Sequence, residues 1–473
     1  MLITENKLLE HFRYIRAERL MNHARLLASD KMRGRMPGDM GYRMAMDYVT
    51  DFFRNIGLRP GFENGAYEQE FMLETCRVVS ASVKLAVGGA PAEELTLGED
   101  FICRGLTGDG VVSGELVFVG YCSEEKDFNE LEGLDLEGKI AVSFKHPPPW
   151  WKDRHPLMPR EKAHQVIKHG AKALVIVPNP IRKEPDRLSG SLIEKGDYIP
   201  GFPLIVLGEA ISDRLFAYDD NTLAGRQFRI DTFKEMMSGP LPASMSIDIE
   251  TEHNNKGISW NAAGFLPGTD PALSQQVVLI GAHLDHVGIQ GESLIFNGAQ
   301  DNASGSAAVL EIARAFAEGP RPPRSLQFVL FGAEEAGLVG SLHYAAHPGQ
   351  PLQNTLVMLN LDCMGAGSGM DMRGRTAYPE LFEVFDTLNK TFVGIPDTAQ
   401  NHPPGGADAK PFEDAGIPNM YFVGENPYRH LHMKSDTVET LNPSLFEGIT
   451  HMAYLMAAHL SSGNASSGEL SAR

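Results

Sequence analysis

Several features that define common protein classes are absent from this chain. No run reaches the roughly 18 apolar residues of a membrane span, and the first 20 residues lack the apolar core of a signal peptide. The four cysteines, Cys76, Cys103, Cys122 and Cys363, are too far apart for a CxxC motif, although a disulfide between Cys103 and Cys122 stays open. The net charge of -19 argues against nucleic acid or an anionic membrane as a partner.

The same absences bear on the cellular compartment. A chain that starts natively at Met1 is expected in the cytoplasm, because no leader is recognisable. A chain from which a leader has been removed is expected to be secreted or periplasmic. The sequence does not decide between these two expectations.

Common catalytic motifs are missing as well. The chain has no GxSxG elbow, which argues against a Ser/His/Asp triad, and no HExxH, which excludes the commonest single-zinc helix motif. The segment ASDKMRGRMPGD, residues 28–39, contains glycines and basic residues, but no strand precedes it and no GK[ST] follows. We therefore interpret it as a turn and not as a phosphate loop.

The residue pattern divides the chain into regions. Residues 1–75 show helical periodicity and are expected to be the N-terminal part of the main domain. Residues 76–250 contain short β-like runs separated by Gly and Pro, with one helical stretch near PREKAHQVIKHG, which predicts a separate β-rich insertion. Residues 251–461 alternate strands and helices, which predicts an α/β fold with a largely parallel mixed central sheet between helices. The polar tail, residues 462–473, is predicted to be disordered.

Potential metal ligands stand where the apolar runs of the third region stop. The apolar run QQVVLIGAH ends in His283, Asp285 follows two residues later, and VMLNLD ends in Asp362. Because ligands bind outside the carboxyl ends of strands in open α/β sheets, we expect these side chains to converge. The two-residue period of a strand puts His283 and Asp285 on one face, so Asp285 is predicted to accept the second ring N–H of His283.

Three further carboxylates extend this pattern. Asp301 stands in the turn DNASG before a helix, and a carboxylate can offer one oxygen to each of two ions, so Asp301 is predicted to bridge. Glu334 and Glu335 are adjacent beyond another apolar run, where two unpaired carboxylates would repel each other. We predict that Glu335 binds metal and that Glu334 is the general base. This ligand set is typical of a hydrolase with two Zn²⁺ ions per chain.

One more histidine is needed as a ligand, and the residues alone leave its identity open. The chain offers His432, but also His286, His402 and His430, and spacing does not select among them.

In GAHLDH, DNASG, AEEAG and LNLD, in this order, the chain resembles the dinuclear zinc exopeptidases related to bacterial leucyl aminopeptidase, aminopeptidase Y and glutamate carboxypeptidase. The resemblance implies that His283, Asp301 and Asp362 bind one zinc. It implies that Asp301, Glu335 and His432 bind the other, since HMKSDT matches the HxxxDT segment of the family. The middle region, with GKIAVSF and AHQVIKHGAKALVIVPN, resembles a protease-associated (PA) domain, whose usual role is to cap or gate the site.

Three positions depart from the family pattern. Gln300 stands where the family commonly has Asp, which we expect to be harmless because the residue is not a ligand. Ala409 follows Asp408 where a His is usual, so the contacts of Asp408 with substrate are in doubt. Leu431 precedes His432, where many members have a Tyr that stabilises the tetrahedral intermediate.

The loss of this Tyr calls for another donor to the oxyanion. Tyr428 and His430 lie within four residues of His432, on what is expected to be one loop. We predict that one of them supplies the donor, with Tyr428 favoured because its phenol stays protonated at neutral pH. The alternative is that the zinc ions alone stabilise the oxyanion.

The sequence thus predicts a zinc exopeptidase, foremost an aminopeptidase that hydrolyses N-terminal residues from peptides or aminoacyl amides by two-metal activation of water. A carboxypeptidase, dipeptidase or amidohydrolase with the same metal site is the first alternative, because substrate choice depends on pocket loops. The full ligand set together with Glu334 argues against a metal-free receptor-like homologue. The complete ligands for a second metal argue against a glutaminyl cyclase. The oligomeric state is not predicted.

Overall fold

The chain is described by a computed structural model that covers residues 7–151, 158–182, 188–218, 221–397, 405–425 and 429–463. It forms two compact units. The first comprises Met1–Leu73, Lys256–Gly288 and Ile295–Arg473, and the second comprises Glu74–Asn255 and Ile289–Leu294. Most of the tail predicted to be disordered, residues 464–473, lies outside the described residues.

The first unit is built on a mixed sheet whose core strands are parallel. Val277–His283 lies between Ser325–Phe331 and Thr355–Leu361 and is parallel to both. Asn419–Phe422 extends the sheet in parallel beside Thr355–Leu361. At the other side, the last residues of the strand Gly239–Leu266 pair antiparallel with Ser325–Phe331, and Arg59–Pro60 pairs antiparallel with them. The predicted fold class is confirmed.

Helices cover both faces of this sheet, which explains the continuous apolar runs of its strands. Successive strand side chains point to opposite faces. Val278 and Ile280 therefore join one core cluster, and Leu279 between them joins another. The helices of this unit are Lys7–Glu10, Ala17–Leu27, Met40–Asn55, Gly305–Glu318, Val339–Ala346, Pro379–Leu388, Lys410–Asp414 and Pro443–Ser461.

Local signals set the ends of the long helices. The Asp39 side chain accepts a hydrogen bond from the Gly41 N–H at the start of Met40–Asn55. The closing helix starts with Pro443 after Asn442, whose side chain accepts from the next backbone N–H groups, as favoured at an N-cap. Among the described helices, none has the length and hydropathy needed to cross a membrane.

The second unit has its own sheet and hydrophobic core. Gly110–Phe118, Ile140–Phe144, Ala173–Val177 and Leu204–Leu207 are successive parallel neighbours. Phe101–Cys103 pairs antiparallel with the last of them, and the first part of Gly239–Leu266 pairs antiparallel with Gly110–Phe118. The remaining strands in or entering this unit are Glu68–Val87, Glu93–Leu95, Glu124–Glu125, Phe128–Asn129, Ile289–Gln290 and Leu294–Ile295.

Two features of this unit differ from the sequence analysis. Besides the expected helix Pro159–Lys168, it contains Glu209–Leu215 and Leu223–Phe233, whose polar sequences carry only a weak apolar stripe. The short segment Ile289–Leu294 belongs here and not to the region 251–461, because the Gln290 side chain bonds both the N–H and the C=O of Cys103. The likeness of this unit to a protease-associated domain stays a prediction. All four cysteines are buried free thiols, so the Cys103 to Cys122 disulfide does not form.

Candidate metal centre

The carboxyl ends of three adjacent parallel strands bring the predicted ligands together. His283 is the last residue of its strand and lies opposite Phe331, the last residue of the neighbouring strand, which Glu334 and Glu335 follow. Asp362 directly follows the strand Thr355–Leu361 on the other side. The convergence expected from the strand pattern therefore holds in the structure.

Two groups of donor atoms form at this edge, and Asp301 belongs to both. In the first group the Nε2 atom of His283 lies 3.3 Å from Asp301 Oδ1 and 3.3 Å from Asp362 Oδ1. In the second group the Nε2 atom of His432 lies 3.1 Å from Asp301 Oδ2 and 2.9 Å from Glu335 Oε2. Asp301 thus turns one oxygen to each group, which is the geometry of a bridging carboxylate.

The donor set fits zinc. Ligands about 2.0 to 2.1 Å from a tetrahedral ion lie about 3.3 Å from one another, and the nitrogen–oxygen distances of both groups are close to this value. Burial lowers the pKa of His283 and His432, but the carboxylates around them outweigh burial and raise both pKa values well above the ordinary value. The edge thus strongly attracts positive charge, which a divalent cation would supply.

His286 is a member of the second group that the sequence analysis treated only as a competitor of His432. Its Nδ1 atom lies 3.0 Å from Glu335 Oε1 and 3.6 Å from Asp301 Oδ2. His432 approaches the other oxygen of Glu335, so the two histidines hold the carboxylate from its two sides. The completely buried His286 is thus placed to fix Glu335 by a hydrogen bond.

The backbone of the bridging residue is held by a second carboxylate. Asp436 accepts hydrogen bonds from the N–H groups of Gln300 and Asp301 at 2.8 and 3.1 Å. Burial raises the pKa of Asp436 to about 6, although these two N–H groups oppose the shift. The family segment HMKSDT thus supplies both a donor, His432, and the support of Asp301.

The predicted role of the Asp285 side chain needs correction. The ring Nδ1 of His283 bonds the main-chain carbonyl of Asp285 at 3.2 Å, and the nearest carboxylate oxygen is 3.9 Å away. The carboxylate instead accepts hydrogen bonds from the N–H groups of Glu334 and Glu335 at 3.1 and 3.2 Å. The strand ends at His283, so the two-residue alternation does not extend to Asp285. Asp285 therefore positions the Glu pair.

Arg35, in the segment interpreted as a turn, is completely buried below the site. Its guanidinium donates to four main-chain carbonyls, those of Leu27, Leu284, Asn297 and Gly298, at 2.6 to 2.8 Å. Leu284 directly follows His283 in the chain, and Gly298 stands three residues before Asp301. Burial lowers the pKa of Arg35 to about 10, while nearby carboxylates oppose that shift, so the residue stays charged at neutral pH. Sequence reasoning missed it because carbonyl acceptors leave no motif.

A cavity of about 250 Å³ opens on the metal donors and contains Glu334 in its wall. Burial, and next the neighbouring Glu335 carboxylate, raise the pKa of Glu334 well above its ordinary value, while His283 opposes the shift. The opposite wall includes Arg373 and Tyr421, which the sequence analysis did not single out. The Tyr421 hydroxyl donates a hydrogen bond to Asp362 Oδ2 and so orients that carboxylate.

Of the residues predicted to contact the substrate or the oxyanion, the structure describes Asp408 and His430, and neither is among the residues that line the cavity. Asp408 is completely buried, and its neighbour Ala407 lines the cavity in its place, so a contact of Asp408 with substrate stays a prediction. His430 is not in the cavity wall either, because a turn closed by the bond from Met433 N–H to its carbonyl puts Leu431 and His432 at the tip. His430 instead bonds Ser435. Tyr428 and His402 lie outside the described residues.

The fold and the donor groups define an α/β protein with a cluster of histidines and carboxylates, able to hold metal, at the carboxyl ends of its strands. Two solved structures share this fold over almost their whole length. The aminopeptidase of Aneurinibacillus sp. strain AM-1 matches with a TM-score of 0.65 and 20% identity, covering 95% of each chain. The zinc aminopeptidase BSAP of Bacillus subtilis matches with a TM-score of 0.65 and 19% identity, covering 97% of this chain and 98% of its own.

Sequence comparison points to one family. Residues 261–457 match the model of peptidase family M28. Leupeptin-inactivating enzyme 1 of Streptomyces exfoliatus is 32% identical over 41% of this chain. Aminopeptidase YwaD of Bacillus subtilis is 26% identical over 76% of it. These alignments span 42% and 66% of the length of the two relatives.

Proposed function

We propose that this protein is a zinc-dependent aminopeptidase that removes N-terminal residues from peptides with two zinc ions at the strand edge. The observation that carries the proposal is the pair of donor groups that share Asp301, with Glu334 in the wall of the same cavity. The match of residues 261–457 to the model of peptidase family M28, and the names of the relatives, support peptide bonds as the substrate class.

The roles of the ligands follow from the two groups. His283 and Asp362 would hold one ion, Glu335 and His432 the other, and Asp301 both. Bound there, zinc lowers the pKa of a coordinated water and polarises a carbonyl group. Tyr421 and His286 would keep the carboxylates of Asp362 and Glu335 in place by hydrogen bonds to the oxygens that His283 and His432 do not approach.

Glu334 would perform the proton transfers. It lies in the cavity wall beside the donors, and the hydrogen bonds that its own N–H and that of Glu335 donate to Asp285 fix the backbone of the pair. Its carboxylate would take the proton of the attacking water and return it to the leaving amine. Two cations nearby would favour the ionised form of Glu334 before it takes the proton. Burial favours the protonated form of Glu334 after this transfer.

Paired substrates that differ only at the amine test this proposal. The zinc-loaded protein is expected to hydrolyse leucyl p-nitroanilide and not its N-acetylated form, because an aminopeptidase requires the free amine. Cleavage of a blocked peptide from its carboxyl end would assign a carboxypeptidase instead. Cleavage of dipeptides alone would assign a dipeptidase. No hydrolysis of any member of the panel at full zinc occupancy would refute a peptidase function.

A further inference from the structure

The second unit contains a cavity of about 220 Å³ that is remote in sequence from the metal ligands. Ile176 and Val206 form its floor and belong to adjacent parallel strands, where they pair with each other. Val206 also pairs with Ile102 on the antiparallel neighbour. Residues opposite one another in a sheet point to the same face, so Arg104, two residues after Ile102, projects from this face as well. The other face of the same strands packs into the core of the unit.

Arg104 is the unusual member of this cavity. Its guanidinium makes one hydrogen bond, from Nη1 to the Ser189 carbonyl, at a long 3.5 Å. The Nε atom is buried and has no hydrogen-bond partner, and no carboxylate of the described residues forms an ion pair with Arg104. Burial lowers the pKa of Arg104 to about 10, which still leaves it charged at neutral pH.

Arg104 is only partly exposed, and its buried Nε donor without a partner is costly, so this arrangement calls for an anion. Arg35 in the first unit shows the contrast, because four carbonyls satisfy its guanidinium. Around Arg104 the cavity wall adds two more basic side chains, Lys145 and His146, which follow the parallel strand Ile140–Phe144. Three of the eight residues of the wall are therefore basic.

The rest of the wall restricts the type of anion. Besides the three basic residues, it consists of Pro147, Met158, Pro159, Ile176 and Val206, all apolar. A volume of about 220 Å³ equals that of roughly seven water molecules at about 30 Å³ each, which suits a group of the size of one amino-acid residue. An inorganic anion would leave the apolar wall without contacts, whereas an apolar group that ends in a carboxylate would use both kinds of surface.

We propose that this cavity is a binding site for a carboxylate attached to an apolar group, such as the C-terminal residue of a peptide or a small free acid, with Arg104 as its anchor. A planar guanidinium binds a carboxylate through two parallel hydrogen bonds, which matches the unused Nε donor. The site is formed by residues of the second unit, and its proposal does not rest on the proposed peptidase activity.

Isothermal titration of the full, zinc-loaded chain with N-acetyl-leucine, N-acetyl-leucinamide and inorganic phosphate tests the site. We expect N-acetyl-leucine to bind, and Arg104→Met to weaken this binding at least tenfold. The matched control is Arg229→Met, which removes an arginine of the same unit that pairs with Glu235 on the surface. Carboxylates that bind at the metal centre would be unaffected by either substitution. Comparing 4-methylpentanoate with N-acetyl-alanyl-leucine then separates a free acid from a peptide end as the source of the carboxylate.

Stability measurements separate this role from a structural one. Without carboxylate, Arg104→Met is expected to melt at or above the temperature of the wild type, because a buried donor without a partner is removed. A lower melting temperature than that of Arg229→Met would show that Arg104 supports the fold and would overturn the proposal. The proposal would also be overturned if N-acetyl-leucinamide bound as tightly as N-acetyl-leucine, or if phosphate bound more tightly than N-acetyl-leucine through Arg104. It would be overturned as well if Arg104→Met bound N-acetyl-leucine as tightly as the wild type does.

Discussion

The support that Arg35 gives to the metal centre leads to a sharp prediction. Arg35→Met keeps an unbranched side chain of moderate length but removes all donors to the four carbonyls. Three of these carbonyls, on Leu27, Leu284 and Gly298, belong to buried residues, but the Gly298 carbonyl also accepts a hydrogen bond from the Ala303 N–H, so only those of Leu27 and Leu284 would lose their partner. A buried polar group left without a partner costs about 1 to 3 kcal/mol. The expected loss of stability is therefore about 2 kcal/mol at the lower bound, or roughly 3 °C in the melting temperature of a unit of this size.

The same substitution is expected to weaken zinc binding, because the carbonyls lie next to His283 and near Asp301. Loss of such outer support typically lowers metal affinity about 10 to 100 fold. Arg35→Lys retains the charge with three donors but lacks the planar fork, so it should fall between the wild type and Arg35→Met in both properties.

The assay combines thermal unfolding in chelator with competition for zinc against a chromogenic chelator. Arg33→Met is the matched control, since Arg33 lies in the same segment but pairs with Asp39 near the surface at 3.1 Å. Such a pair contributes about 0 to 1 kcal/mol. If Arg35→Met had the same melting temperature as Arg33→Met and bound zinc as tightly as the wild type, the reasoning about the buried guanidinium would be refuted.

Three further predictions concern single carboxylates and a histidine. Glu334→Gln should keep its metal and lose about 10² to 10⁴ fold in kcat, whereas Glu335→Gln should lose metal; identical behaviour in kcat and metal content would contradict this division. His286→Ala should weaken one of two zinc affinities about 10 to 100 fold in chelator competition, and two unchanged affinities would rule out its support of Glu335. Burial raises the pKa of Glu130 from 4.5 to about 8, so the folded protein holds a proton that the unfolded chain releases, and stability should fall by up to about 1.4 kcal/mol per pH unit between these values. Glu130→Gln should remove this component, and equal pH slopes of unfolding free energy for both proteins would argue against the raised pKa.

The sequence predicts those parts of the site that depend on strand ends. Near-continuous apolar runs identify parallel strands, and the carboxyl ends of such strands meet at one edge, so His283 and Asp362 are found by pattern alone. The five predicted ligands indeed lie in the two donor groups of the structure. Their assignment to metal stays a prediction until metal is measured.

Other parts depend on contacts that a pattern does not record. Arg35 acts on main-chain carbonyls, which every residue has, and the hydrogen-bond donors to Asp285 are backbone N–H groups. Whether a side chain faces a cavity depends on turns and burial, which is why the sequence did not show that Asp408 and His430 lie outside the cavity wall. The polar helix Leu223–Phe233 was missed because its burial is achieved by few apolar residues.

The central claim is that Asp301 joins two metal sites in one chain. Elemental analysis of the purified protein after zinc loading and removal of excess metal tests it most directly, with Asp301→Asn as the variant and Asp39→Asn as a control carboxylate outside the donor groups. We expect close to two zinc ions per chain in the wild type and the control, and loss of tight binding at both sites in Asp301→Asn. One tightly bound zinc per wild-type chain, or none, would contradict the account.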